Sequence, residues 1–169
     1  MRLGQRLAEQ EDQPLDGDCI VVPVPDTART TAGSFAHHLG LPYVEGIIRN
    51  RYVGRTFIQP ENIRGVCAQR KYTLIPSVLK GKRIFLVEDS IVRSTTLLTL
   101  IRQLRQIGGV REVHIRVSCP PIVSPCFYGI DMSTRSELFA PNFSAEGYAG
   151  IPEPEMLAEM ARALGVDSL

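Results

Sequence analysis

The feature that most constrains the fold is a short apolar run that ends abruptly in two acids. Ile84-Phe85-Leu86-Val87 is followed directly by Glu88 and Asp89, and then by small and hydroxyl-bearing residues that lead into a predicted helix. An apolar run of this length is typical of a strand buried on both faces, as in a parallel sheet. Open parallel sheets bind ligands at the carboxyl ends of their strands. The run therefore predicts an α/β fold with a candidate site at residues 88–96.

Strands and helices alternate along the rest of the chain, which favours a central parallel sheet flanked by helices. The helix after the first strand has Asp26 or Thr27 placed to cap it and Gly40 placed to end it. The predicted strands are Cys19–Val24, Tyr43–Ile48, Ile84–Val87 and Glu112–Ser118, and the predicted helices are Arg2–Glu11, Thr27–Leu39, Thr95–Ile107, Arg135–Phe139 and Glu153–Leu164.

The stretch from Asn50 to Arg70 interrupts this alternation. It contains glycines, a proline and several arginines against a single glutamate, with little apolar periodicity. Loops this long inside a compact domain are usually functional or disordered. Charge alone leaves open a solvated basic surface or an RNA-contacting patch, but Tyr52, Phe57 and Ile58 favour a loop that docks on something.

The residue types at 88–96 indicate a particular ligand chemistry. Hydroxyls and unpaired backbone N–H groups at the start of a helix favour an anion such as phosphate. The two acids before them suit sugar hydroxyls or a hard cation such as Mg²⁺. A phosphorylated sugar that carries Mg²⁺ satisfies both halves, and the alternative is a strand that simply ends in a solvated acidic turn.

Composition argues against several classes of protein, namely nucleic-acid-binding, membrane and secreted proteins. The chain has 169 residues and a net charge of +1, which gives no general attraction to nucleic acid or to an anionic membrane. No stretch approaches the roughly 20 apolar residues of a membrane span. The four cysteines show no metal-binding spacing and no N-terminal secretory pattern accompanies them, so we expect a cytoplasmic protein without disulfides.

Four segments resemble the amidophosphoribosyltransferase family, which catalyses the first committed step of purine synthesis. Ile84–Thr96 is similar to the thirteen-residue signature of type I phosphoribosyltransferases, and Val22–Thr27 resembles the family's pyrophosphate loop. Ile48–Pro60 resembles its flexible catalytic loop nearly residue for residue, and Ser118–Asp131 is a further close match. The resemblance runs from about Arg2 to Leu169 and implies the type I phosphoribosyltransferase fold with a long flexible catalytic loop.

The resemblance also implies an activity and a set of site residues. Such a domain transfers the phosphoribosyl group of phosphoribosyl diphosphate (PRPP) to ammonia, which gives 5-phosphoribosylamine and pyrophosphate. Glu88 and Asp89 would hold the ribose hydroxyls and, with Thr27, the Mg²⁺. The remaining implied contacts are Ser90, Ile91, Val92, Arg93, Ser94, Thr95 and Thr96 around the 5′-phosphate, Asp26, Thr27 and Ala28 at the pyrophosphate, and Arg49, Arg51 and Arg55 on the departing pyrophosphate.

The sequence departs from the family in several places. We expect residues 1–169 to form the phosphoribosyltransferase domain, with a core at about 17–120 and an extension at about 121–169, and without the N-terminal glutaminase domain. Ammonia or a separate glutaminase would then supply the nitrogen. Only Cys126 matches a ligand of the iron–sulfur cluster that some members carry, so we expect no cluster. Ala28 and Ser94 stand where the family usually has glycine, which predicts weakened PRPP binding.

Two alternative functions stay open, and the fold itself predicts an assembly state. A non-catalytic sensor of PRPP or nucleotides is the main alternative, because the ammonia source is missing and two glycines are replaced. A nucleobase phosphoribosyltransferase is a weaker one, because the chain has no base-recognition insert. Type I domains have an open sheet edge and commonly self-associate, so a homo-oligomer is expected.

Overall fold

A computed structural model describes residues 2–50, 52, 71–126, 128, 134–144 and 152–169. Its sequence of elements confirms the predicted α/β class. The helices are α1 Arg2–Glu9, α2 Arg29–Leu39, α3 Pro76–Leu79, α4 Thr95–Gln106 and α5 Pro154–Leu164, with 3-10 turns at Arg135–Glu137 and Ala140–Phe143. The strands are β1 Cys19–Pro23, β2 Ile47–Arg49, β3 Tyr72–Leu74, β4 Arg83–Glu88 and β5 Glu112–Val117.

Three parallel strands form the central sheet in the order β1-β4-β5. In β1 and β4, side chains alternate between two hydrophobic cores, as the period of two in a strand requires. Val21 and Phe85 face one core, which Phe35 of α2 completes. Ile20 and Leu86 face the other core, which α4 and α5 cover. Both faces of the sheet are therefore buried, which is why these strands are continuously apolar in sequence.

A second, antiparallel pair of strands flanks the long arginine-rich segment in the sequence. Strands β2 and β3 pair so that Arg49 is opposite Tyr72, and the Asn50 N–H donates to the Lys71 carbonyl at 2.9 Å. The predicted strand at Tyr43–Ile48 was therefore placed too early, because Tyr43 makes only an isolated bridge to Val21. Residues 51 and 53–70, which include most of the predicted catalytic loop, lie outside the described residues.

Helix α1 approaches helix α2 so closely that only glycine fits at position 4. A Cβ atom added at Gly4 would lie 2.6 Å from the Ser34 Cβ and 2.7 Å from the Phe35 backbone nitrogen. Both helices must separate to admit a methyl group, because backbone atoms do not move aside as a flexible side chain does. Gly17, by contrast, has open space around the same position.

Gly4→Ala is expected to destabilise the protein by about 1–3 kcal/mol, although alanine is the better helix former by roughly 1 kcal/mol. The clash outweighs the gain in helix propensity because it separates α1 from α2 along their contact. Urea unfolding monitored by circular dichroism measures the change, and Gly17→Ala is the matched control with no expected loss. Equal midpoints for the two variants would contradict the close packing.

No helix within the described residues has the length and apolar character that a membrane crossing requires.

Candidate active site

The loops after β1 and β4 leave the sheet side by side and bring Thr27 against Asp89. The Val24 N–H donates to the Val87 carbonyl at 2.9 Å, which continues the pairing of the two strands to their carboxyl ends. Just beyond, the Thr27 hydroxyl donates to an Asp89 carboxylate oxygen at 2.8 Å. Thr27 was expected to cap α2, but the residue at the cap position is Ala28 and no side chain caps the helix. The Thr27 hydroxyl is instead directed into the site.

Glu88 and Asp89 form a coupled pair with unequal acidities. Burial, followed by the hydrogen bond with Asp89, raises the pKa of Glu88 to about 9. The same side-chain hydrogen bond from Glu88 lowers the pKa of Asp89, and the Thr27 hydroxyl lowers it further. At neutral pH the pair therefore holds one proton on Glu88 and one negative charge on Asp89. A strongly perturbed acid at the end of a buried strand is typical of functional sites.

The segment from Ser90 to Thr96 connects the acids to helix α4. Ser94 lies just before the helix with φ 59° and ψ −16°, in the left-handed region that favours glycine. The Thr95 N–H donates to the Arg93 carbonyl at 2.8 Å, and the first turn of α4 begins at Thr95. Hydroxyl-bearing residues and a helix start thus meet at one place, where an anion is favoured.

The two replaced glycines have different structural meanings. Ser94 has the positive φ that explains a preference for glycine, and it accepts strain of about 1 kcal/mol there. Ala28 has φ −84° in the right-handed region, so a positive φ does not explain glycine at this position. Its methyl group is fully buried in the core beside Phe35.

Two neighbouring segments, residues 118–119 and residues 137–139, hold this loop, and sequence reasoning linked neither of them to it. The Ser118 and Cys119 N–H groups donate to the Glu88 and Asp89 carbonyls at 3.0 and 3.1 Å. The Phe139 N–H donates to the Val92 carbonyl at 2.8 Å, and Glu137 pairs with Arg93 at 3.2 Å. Ile91 is turned into the core. Nothing in the local sequence links residues 137–139 to residues 92–93, because these contacts depend on the tertiary fold.

Two basic residues, one at the end of β2 and one just before β3, lie near the site. Arg49 pairs with Asp26 at 3.5 Å and so lies beside the loop after β1. Lys71, which the sequence analysis did not single out, places its Nζ 5.2 Å from the Tyr72 ring centroid. Burial lowers the pKa of Lys71, while the charges of Glu88 and Asp89 raise it. Of the other two predicted arginines, Arg51 and Arg55, the structure describes neither.

The oxygen atoms at the site suit Mg²⁺ but do not enclose it. Thr27, Glu88 and Asp89 offer a hydroxyl and two carboxyl groups, the hard donors that Mg²⁺ prefers. Among the residues that the structure describes, no three His, Cys, Asp or Glu side chains come together as a metal site. Mg²⁺ commonly binds through one or two carboxylates together with substrate phosphates and waters, which fits this arrangement.

The described cysteines occupy separate environments. Cys19 is buried in β1, Cys119 is exposed and Cys126 is half-buried, and all three are free thiols. Burial raises the pKa of the Cys19 thiol, as expected for a small core residue. Cys67 lies outside the described residues, so the expectation of no iron–sulfur cluster stays a prediction.

The chain is similar over nearly its whole length to part of several known proteins. The chain is 46% identical over 169 residues to the amidophosphoribosyltransferase of Methanocaldococcus jannaschii, 45% to that of Pyrococcus horikoshii and 41% to that of Bacillus subtilis. Each of the three alignments covers 99% of this chain. The chain is homologous to the phosphoribosyltransferase part of amidophosphoribosyltransferases. It spans about a third of the length of these relatives, 32% to 34%. No protein-family model matches it.

Two solved structures have a similar fold over nearly the whole of this chain. The amidophosphoribosyltransferase of B. subtilis, solved with ADP and GMP, superposes with a TM-score of 0.72 at 40% identity over 99% of this chain and 33% of its own. A second structure, described as the allosteric regulatory enzyme of purine biosynthesis, superposes with a TM-score of 0.73 at 40% identity, also over 99% of this chain and 33% of its own. These matches confirm the type I phosphoribosyltransferase fold.

Proposed function

We propose that this chain binds PRPP with Mg²⁺ and transfers the phosphoribosyl group to ammonia, releasing pyrophosphate. The observation that carries the proposal is the 2.8 Å contact between Thr27 and Asp89. It joins the loop that resembles a pyrophosphate loop to the acids that resemble a ribose site, so one extended ligand can contact both. The homology to amidophosphoribosyltransferases favours this ligand over other phosphorylated sugars.

Each group of the substrate has a matching set of residues. Ser90 to Thr96, with the start of α4, would bind the 5′-phosphate through hydroxyl and N–H groups. Glu88 and Asp89 would accept hydrogen bonds from the ribose hydroxyls, and Asp26 to Ala28 would lie beside the pyrophosphate. Thr27, Glu88 and Asp89 would hold Mg²⁺, which offsets negative charge on the pyrophosphate when bound.

Charge development at the leaving group explains the basic residues of β2 and of the segment after it. As the ammonia nitrogen bonds to C1 of the ribose, the bond between C1 and the pyrophosphate oxygen breaks and its electron pair leaves with the pyrophosphate. The nitrogen then loses a proton to water. Arg49, with Arg51 and Arg55, would stabilise the charge that builds on the departing oxygen. The ammonia would come from solution or from a separate glutaminase.

Ser94 favours a second candidate, a sensor that binds PRPP or a nucleotide without turning it over. A serine at φ 59° both stores strain and places a side chain where the backbone would approach the phosphate. Weakened binding at this point would suit a protein that responds to ligand concentration. The two candidates differ in one observable, which is the release of pyrophosphate.

The deciding experiment follows pyrophosphate release from PRPP, Mg²⁺ and ammonium at alkaline pH, with Asp89→Asn as the blank. Alkaline pH supplies free ammonia and also approaches the raised pKa of Glu88. Pyrophosphate release that requires ammonium and is lost in the variant supports the transferase. Replacing ammonium with nucleobases tests for a nucleobase phosphoribosyltransferase. Calorimetric binding of PRPP without release supports the sensor. Absence of both release and binding contradicts both.

Ser94→Gly is expected to tighten PRPP binding by roughly threefold to tenfold, because it removes the side chain from the place where the backbone would approach the phosphate. The relief of about 1 kcal/mol of backbone strain would stabilise the protein with or without the ligand. Calorimetric titration with PRPP and Mg²⁺ measures the change. Ala28→Gly is the matched control at the other replaced glycine. It should not tighten binding, since Ala28 has an ordinary φ and its methyl group packs in the core. An unchanged dissociation constant in Ser94→Gly would show that the Ser94 side chain does not crowd the phosphate.

A further inference from the structure

The carboxylate of Asp26 lies between two arginines at the place where the pyrophosphate is expected. One of its oxygens is 3.5 Å from an Arg29 nitrogen. The other is 3.5 Å from an Arg49 nitrogen. Arg29 has a second acidic partner, Glu45, at 3.7 Å. For Arg49, by contrast, Asp26 is the acidic partner among the described ion pairs.

A carboxylate is an unexpected side chain in a loop that faces pyrophosphate. Like charges placed close together repel, and a partly desolvated site strengthens the repulsion because solvent screens it less. Asp26 is about 40% exposed, so it is neither buried as a core residue nor turned fully into solvent. The residue next in sequence, Thr27, contacts Asp89 at 2.8 Å, so Asp26 belongs to the loop that reaches the acids of the site.

We propose that Asp26 is a built-in competitor of the pyrophosphate group. In the ligand-free protein its carboxylate occupies Arg49 and Arg29, and a pyrophosphate group has to displace it to reach these guanidinium groups. The inference rests on the proposed function, since it concerns the leaving-group side of that site. It assigns to Asp26 a role in discriminating between metal-free pyrophosphate and its Mg²⁺ complex.

Competition of this kind makes binding depend on the metal. Metal-free pyrophosphate brings its full negative charge to Asp26, whereas Mg²⁺ cancels part of that charge before the ligand enters the site. The carboxylate therefore disfavours the metal-free ligand more strongly than the metal complex. It also recaptures Arg49 once the pyrophosphate has left, which favours product release over rebinding.

The test compares the affinity of Asp26→Asn and of the wild type for inorganic pyrophosphate. Calorimetric titration measures it with and without Mg²⁺ at constant ionic strength. The variant keeps the size of the side chain and removes its charge. We expect it to bind metal-free pyrophosphate roughly threefold to tenfold tighter than the wild type, with a smaller gain when Mg²⁺ is present. High salt should shrink the difference, since it screens the repulsion.

Glu45→Gln is the matched control, because it removes a carboxylate from Arg29 and leaves Arg49 paired with Asp26. Its affinity for pyrophosphate should stay within about twofold of the wild type. An equal gain in Glu45→Gln would overturn the inference in favour of a general charge effect. Weaker binding of Asp26→Asn, with or without Mg²⁺, would also overturn it, because Asp26 would then assist the ligand.

The outcomes also separate this inference from the proposed function. If the wild type binds PRPP and pyrophosphate while Asp26→Asn binds pyrophosphate no differently, only the role of Asp26 is wrong. If neither protein binds pyrophosphate or PRPP under any condition, the proposed function fails and the inference fails with it. Binding of metal-free pyrophosphate by the variant alone would be the strongest support for competition.

Discussion

Glu88→Gln is expected to stabilise the ligand-free protein at alkaline pH and to remove most of its affinity for PRPP with Mg²⁺. Burial raises the pKa of Glu88 from its ordinary value of 4.5 to about 9, so the folded protein keeps this carboxyl protonated where the unfolded chain ionises. Between these pKa values the folded state binds the additional proton, and its stability falls as the pH rises. Glutamine keeps the shape of the protonated acid and has no proton to lose.

The stability gain should therefore depend on pH in a defined direction. At pH 5 the variant and the wild type are expected to differ little, and by pH 8.5 the variant should be more stable by about 1–3 kcal/mol. Urea unfolding at several pH values measures the difference, with the exposed Glu155→Gln as the control that shows no trend. A gain of the same size at pH 5 and pH 8.5 would contradict the raised pKa.

The loss of binding has the same physical origin. A cation at the site would favour the ionised form of Glu88, so its binding would release a proton, and glutamine offers only a neutral carbonyl oxygen in its place. We expect at least roughly tenfold weaker binding of PRPP with Mg²⁺ in the variant, measured by calorimetry. Unchanged affinity would show that Asp89 and Thr27 suffice.

Arg116→Met is expected to be the most destabilising of these substitutions, by about 3–5 kcal/mol. Two guanidinium nitrogens of Arg116 donate to the two carboxylate oxygens of Glu11 at 2.7 and 2.6 Å, and the third donates to the Ile115 carbonyl and the Ser168 hydroxyl. The side chains are 12% and 1% exposed, so removing the arginine leaves a charge buried without its partner. Without this ion pair, the segment after α1 is held less firmly against β5.

Unfolding in urea measures this effect, and a double variant separates its parts. Glu11→Leu combined with Arg116→Met removes both charges and is expected to recover most of the lost stability, since no buried charge stays unpaired. Arg6→Met is the matched control, because the exposed Arg6–Glu9 pair should contribute less than about 1 kcal/mol. A loss below about 1 kcal/mol in Arg116→Met would contradict the buried pair.

The sequence was most informative where a single segment carries both the fold and the chemistry. Four apolar residues followed by Glu88 and Asp89 predicted a buried strand and a polar site at its end, because the alternation of burial along a strand is local. Gly40 likewise ends α2 in the left-handed region, as predicted. The contacts of Thr27 with Asp89 and of Glu137 with Arg93 join residues far apart in the chain, so only the tertiary structure reveals them.

The two replaced glycines differ in how far the sequence reveals their conformation, and the weakened PRPP binding expected from them stays a prediction. Positive φ at Ser94 follows from the tight entry into α4, and a resemblance to a glycine-bearing motif predicts it. The environment of Ala28 depends on how α2 packs against β1 and β4, which no local pattern reveals. The raised pKa of Glu88 could not be predicted from the sequence either. The sequence shows an acid beside another acid but not how deeply each is buried.

The pairing of β2 and β3 fixes the distance between the two ends of the arginine-rich segment. Arg49 and Tyr72 face each other across the pair, and the hydrogen bond from Asn50 to Lys71 closes its end. Because the two attachment points are already adjacent, doubling the length between them would add only about 0.6 kcal/mol of closure entropy. A change in the length of the segment would therefore leave the spacing of the core strands unchanged. The stability of the sheet that carries the acids is thus separate from the length of the segment that carries Arg51 and Arg55.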